Sequence, residues 1–70
     1  MRLNEYCYRL GWDVPKLARA AAIDVRTARK AIDGQAVTPR VARAIAAALT
    51  EELKQRVLPG EIEGLLERGE

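Results

Sequence analysis

Short polar breaks divide the chain into segments whose apolar residues recur every three or four positions. The breaks are marked by Gly11, Asp13, Asp24, Gly34 and Pro39. Glycine in the left-handed conformation commonly ends a helix. An aspartate just before a helix accepts a hydrogen bond from a free N–H of the first turn, where proline is also tolerated. Apolar spacing of three and four is typical of one helix face, and no segment alternates as a strand would. The sequence therefore predicts an all-α fold, a compact bundle of four to five short helices.

These breaks also predict where the helices lie. The third helix is expected from about Val25 to Ile32, and the fourth begins at Pro39 behind the cap Thr38. Residues 50–53 either continue the fourth helix or begin a fifth. Inward-facing positions in the first, second and fourth helices are expected to be Leu3, Tyr6, Cys7 and Leu10, then Leu17, Ala18 and Ala21, then Val41, Ile45, Ala48 and Leu49.

The composition excludes several classes of protein. Cys7 is the only cysteine and the chain has no histidine, so neither an internal disulfide nor a zinc-type ligand set is available. No phosphate-binding loop or nucleophile motif is present, so we expect no enzyme activity, cofactor, metal or small-molecule ligand. The single thiol favours a cytoplasmic location, and no apolar run approaches the length of a membrane span.

Charge is distributed unevenly along the chain. Residues 1–49 contain nine Lys and Arg against four Asp and Glu, whereas residues 50–70 contain three against six. A basic body followed by an acidic tail indicates a polyanionic partner for the body. An ordinary solvated surface would explain the same counts, so the position of the cations matters more than their number.

The predicted third helix separates into two faces. Ala28, Ala31 and Ile32 form a small inner face, while the outer face carries Arg26, Arg29, Lys30 and Asp33. Like charges three and four positions apart repel each other on a helix, so a helix that only fills a core has no use for them. Two short helices, a tight break and small residues at their crossing predict a helix-turn-helix.

The segment "WDVPKLARAAAIDVRTARKAIDG" resembles the helix-turn-helix of the lambda-repressor-like family, the Cro and Xre-type phage and bacterial regulators. The preceding helix and the Pro-led helix "TPRVARAIAAAL" extend the resemblance over about residues 3–50. The family pattern falls without gaps on Leu17, Ala18, Ala22, Ile23, Asp24, Thr27, Ala28 and Gly34.

Four positions depart from the family pattern. Ala22 stands where the family usually has glycine, and Ala28 stands where isoleucine or valine is common. Some members bury an Arg–Glu pair between the first and third helices, and the matching positions here are Cys7 and Ile32. An apolar pair at such a site can be as stable as the ion pair that it replaces.

The resemblance implies that the third helix enters the major groove of double-stranded DNA. Arg26 and Arg29 can bind guanine bidentately, and Val25 can offer an apolar contact such as one to a thymine methyl. The expected base-contacting residues are Val25, Arg26, Arg29 and Lys30. The expected phosphate-contacting residues are Lys16, Thr27, Gln35, Thr38 and Arg40.

The family usually binds as two-fold dimers, so we expect a homodimer on a palindromic site. We expect residues 1–58 to form the DNA-binding domain and residues 59–70 to form a short acidic tail for dimerisation or another partner. The alternative is that the apolar residues after the fourth helix only close the monomer core. Candidate dimer residues are Leu53, Val57, Leu58, Ile62, Leu65 and Leu66.

These observations favour a small transcriptional regulator, a phage or mobile-element repressor or Cro-like protein. Two alternatives stay open at this point. An antitoxin or excision factor would use the same DNA-binding fold with an added partner surface. A helical interaction module that has lost DNA binding would instead present its cations to an acidic protein.

Overall fold

A computed structural model describes residues 1–65 and residue 67, and it confirms the all-α prediction. No strand occurs within this part of the chain, where only two isolated β-bridges are found. None of its helices is long and apolar enough to cross a membrane. The elements are α1 (Leu3–Leu10), α2 (Val14–Ala21), α3 (Val25–Ile32), α4 (Pro39–Leu53) and a 3₁₀ turn (Pro59–Glu61).

The first three helices end in the same way. Gly11, Ala22 and Gly34 follow α1, α2 and α3 with φ angles of 69°, 57° and 83°, the left-handed conformation. In each case the N–H of the following residue donates a hydrogen bond to a carbonyl of the last helical turn, which would otherwise have no partner. These donor–acceptor pairs are Trp12 to Cys7 at 2.8 Å, Ile23 to Ala18 at 2.9 Å and Gln35 to Lys30 at 2.9 Å.

Side-chain caps fix two of the helix starts. The carboxylate of Asp13 accepts a 2.9 Å bond from the Lys16 N–H at the start of α2. The hydroxyl of Thr38 accepts a 3.3 Å bond from the Val41 N–H at the start of α4. These bonds satisfy N–H groups that have no partner inside the helix, so they determine where α2 and α4 begin. Both starts agree with those predicted from the sequence.

The fourth helix is the longest, with 15 residues. It runs without interruption through residues 50–53, so these residues continue α4 and do not begin a fifth helix. Lys54 follows with a φ of 54° and ends the helix in the left-handed conformation.

The core lies between α2, α3 and α4, with α1 against α3. The predicted inner residues of α2 are all buried, and Ile45 and Leu49 of α4 are fully buried. Val37 in the α3–α4 loop is also buried, although the spacing of apolar residues gave no reason to place it inside. The largest fully buried side chains are those of Leu3, Leu17, Val37, Ile45 and Leu49.

The segment after α4 is part of the same core. Val57, Ile62 and Leu65 are buried and cluster with the helix residues. The Thr50 hydroxyl accepts a 2.8 Å bond from the Val57 N–H and donates a 3.1 Å bond to the Val57 carbonyl. The Glu63 N–H donates a 3.1 Å bond to the Met1 carbonyl, so the segment around Glu63 lies against the first residues of the chain. No break in the core therefore falls at residue 58.

The spacing of Ile62, Leu65 and Leu66 in the sequence predicts a last short helical turn through these residues, but the turn in the structure lies before them. The 3₁₀ turn covers residues 59–61, before Ile62 and Leu65 rather than through them. Leu66 lies outside the described residues.

Candidate nucleic-acid interface

The connection between α2 and α3 is three residues long, from Ala22 to Asp24. Ala22 adopts the positive φ that the resemblance assigns to glycine, and a non-glycine residue there costs roughly 1 kcal/mol. Ile23 is half-buried and packs against the core, which ties the short turn to the body of the protein.

The two predicted faces of α3 are present in the structure. Ala28 and Ala31 are buried, with 0% and 1% of their surface exposed. Arg26, Arg29 and Lys30 are all exposed. Since an alanine methyl fills little space, α3 approaches α2 closely and leaves most of its circumference outside the core.

Val25 is the first residue of α3, and 51% of its side chain is exposed. It lies beside the cations and not on the alanine face of the helix. The four expected base-contacting residues Val25, Arg26, Arg29 and Lys30 therefore occupy one outward surface, which we call the α3 outer face.

Asp24 adds one negative charge at the start of α3. Its backbone has the extended conformation of a residue before a helix, although its side chain does not cap the helix. The Thr27 side chain, as a hydrogen-bond partner, lowers the pKa of Asp24, and the charge of Arg26 lowers it further. Asp24 is therefore ionised at neutral pH, and it partly offsets the positive charge of the neighbouring Arg26.

Three of the five expected phosphate-contacting residues lie around one groove. Thr27, Thr38 and Arg40 line an open groove of about 540 Å³ between the α2–α3 turn and the start of α4. Thr27 and Thr38 are half-buried and Arg40 is exposed. Lys16 and Gln35 are exposed elsewhere, in the first turn of α2 and in the loop after α3.

The expected dimer residues are not a continuous surface. Val57, Ile62 and Leu65 are buried in the monomer core, so this part of the expectation is corrected. A side chain that already packs inside one copy is not available to contact a second. Leu53 is half-buried, and Leu66 lies outside the described residues.

Leu58 is the exception, with 46% of its side chain exposed. It lines an open groove beside α4 together with Ala47 and Pro59, and the groove also carries charges of both signs, from Arg43, Arg56 and Glu51.

Two features of the structure were missed in the sequence. Thr50 holds the last segment on α4 through its two bonds to Val57, and a threonine near the end of a helix gives no signal of such a contact. Val37 is buried because the α3–α4 loop turns inward, which depends on contacts between distant residues.

Cys7 and Ile32 stand where some members of the resembled family bury an ion pair. Cys7 is buried and Ile32 is half-buried, and α1 contacts α3 at this level of the core. Burial raises the pKa of the Cys7 thiol, so the group stays protonated at neutral pH. Within the described residues, no cluster of three His, Cys, Asp or Glu could hold a metal ion.

Comparison of the chain with protein-family models, with curated proteins and with solved structures found no match.

Proposed function

We propose that the protein binds double-stranded DNA sequence-specifically, as a small cytoplasmic transcriptional regulator and not as an enzyme. The observation that carries the proposal is the α3 outer face, where Arg26, Arg29 and Lys30 are exposed on a helix whose buried side is alanine. A helix of this kind contributes little to the core and can lie in the major groove with its cations toward the bases.

The chemistry of the α3 outer face fits base recognition. Arg26 and Arg29 each have a planar guanidinium that can donate two bonds to the O6 and N7 of guanine. Lys30 lies one turn after Arg26, so it either reaches a base or holds a phosphate. Mutual repulsion among the three cations is relieved when they meet the negative charge of DNA.

Contacts to the DNA backbone would come from the groove lined by Thr27, Thr38 and Arg40. Lys16 and Gln35, which precede and follow α3 in the chain, would add further phosphate contacts. Hydroxyl, amide and cationic groups are typical donors to phosphate oxygens, and such contacts fix the orientation of the protein on the duplex. They give affinity without selecting a sequence.

One copy covers a short site. The eight residues of α3 span about 12 Å along the helix axis, and base pairs are about 3.4 Å apart, so a single α3 reads roughly four base pairs. We therefore propose a homodimer on a palindromic site, with half-sites about one helical turn apart. The groove at Leu58 is the part of the expected interface that is exposed in the monomer.

Selection from random duplexes followed by salt titration tests the proposal. We expect one preferred palindromic sequence. About five neutralised phosphates per copy should give a log–log slope of affinity against salt near −4 to −5 for each copy bound, and about twice that for the homodimer. A lack of measurable affinity for any duplex at low salt would overturn DNA binding and favour a protein-interaction module.

A further inference from the structure

We propose that Val25 and Arg29 together make binding depend on the 5-methyl group of a pyrimidine that precedes a guanine. Thymine–guanine and 5-methylcytosine–guanine steps would then be bound more tightly than the corresponding uracil–guanine and cytosine–guanine steps. The inference rests on the proposed function, because it requires α3 to lie in the major groove.

Val25 is an exposed apolar residue on the helix that is proposed to enter the major groove. Among the described residues three large apolar side chains are strongly exposed, namely those of Tyr8, Val25 and Leu58, and only Val25 belongs to α3. Valine has a lower helix propensity than alanine, so helix formation does not explain why residue 25 is a valine. An exposed isopropyl group among cations is suited to an apolar contact on the partner.

Val25 and Arg29 are neighbours on the surface of α3. They are four residues apart on α3, so their Cβ atoms lie about 5–6 Å apart on one side of the helix. Helical side chains lean toward the N-terminus, which brings the Arg29 guanidinium back toward Val25. Neighbouring base pairs are separated by about 3.4 Å, so the two side chains can reach adjacent bases.

Adjacent bases in the major groove offer different partners to these two side chains. Guanine presents O6 and N7 to an arginine, and thymine presents its C5-methyl group to an apolar side chain. 5-Methylcytosine carries a methyl group on the same ring carbon. The parallel pair Arg26 and Lys30 has no apolar member, so methyl recognition is assigned to the Val25–Arg29 pair alone.

Four duplexes test this inference, in two pairs whose members differ only in the 5-methyl group. The selected site is prepared with thymine, uracil, 5-methylcytosine or cytosine at each pyrimidine that precedes a guanine, with the matching base opposite. At one such step we expect about fourfold higher affinity for thymine than for uracil, and for 5-methylcytosine than for cytosine. A fourfold ratio corresponds to the burial of about one methyl group. Val25→Ala should abolish both ratios, whereas Tyr8→Ala, a truncation of an exposed apolar side chain on α1, should keep them.

The outcomes separate this inference from the proposed function. Specific binding with equal affinities for methylated and unmethylated duplexes would overturn the inference and leave DNA binding intact. Methyl ratios that survive Val25→Ala, or a selected site without any pyrimidine–guanine step, would also overturn it. If no duplex is bound, the proposed function itself fails.

Discussion

Both α3 and α4 have alanines on their inner faces, but these alanines have different roles in the two helices. α4 places Ala42 and Ala46 beside two fully buried large side chains, Ile45 and Leu49. α3 fully buries only the methyl groups of Ala28 and Ala31, and Ile32 is half-buried against the core. The comparison indicates that α4 supplies the apolar area that stabilises the fold, while α3 is held by close approach and keeps its outer face free. Stability and binding should therefore respond to different substitutions.

The largest effect on stability is expected from α4. Leu49→Ala removes a fully buried side chain and leaves a cavity, which should lower the free energy of unfolding by about 2–5 kcal/mol. A 70-residue domain has roughly 4–10 kcal/mol in total, so the variant should be close to unfolding. Urea denaturation followed by circular dichroism measures the change, and a loss below about 1 kcal/mol would contradict the role of α4.

On α3 the sensitive change is an enlargement. Ala28→Leu forces a larger side chain between α3 and its neighbours and should lower the free energy of unfolding by about 1–3 kcal/mol. Ala47→Leu makes the same change at an exposed position of α4 and serves as the matched control. If both variants unfold at the same urea concentration as the parent protein, the close approach of α3 to its neighbours does not contribute to stability.

A smaller effect is expected where the last segment joins α4. Thr50→Val keeps the shape of the side chain but removes the hydroxyl that both donates to and accepts from the Val57 backbone. We expect a loss of about 1–2 kcal/mol in the free energy of unfolding, because a partly buried N–H loses its partner. An unchanged urea midpoint would mean that the buried side chains alone hold this segment in place.

The turn between α2 and α3 offers a change in the opposite direction. Ala22→Gly relieves a positive φ of 57° and should raise the free energy of unfolding by up to about 1 kcal/mol. Lys54→Gly, at a φ of 54° after α4, is the matched variant and should give a similar gain. Thermal unfolding compares the two, and a clear loss of stability in Ala22→Gly would show that the alanine is not strained.

The helix boundaries could be predicted because local chemistry determines them. Asp13 and Thr38 accept N–H bonds within three residues, and Gly11 and Gly34 close turns across five. The inner and outer residues of α3 follow from helical spacing in the same way. These parts of the prediction agree with the structure because no distant residue is involved.

The C-terminal segment could not be predicted because its position depends on contacts across the whole chain. Ile62 and Leu65 join the core near the first residues, where Glu63 bonds to Met1. Apolar spacing identifies residues that need burial, but it does not distinguish burial in the same copy from burial against a second one. Three of the six candidate dimer residues, Val57, Ile62 and Leu65, are therefore already buried in the monomer.

The most direct test of the account compares arginines on two helices. Arg26→Ala and Arg29→Ala should each weaken binding to the selected duplex by about 1–3 kcal/mol. Both should change the free energy of unfolding by less than about 0.5 kcal/mol, as expected for exposed positions. Arg9→Ala, an exposed arginine of α1, is the control and should leave both quantities nearly unchanged. Tight and specific binding that survives both α3 substitutions would contradict the assignment of the α3 outer face to DNA.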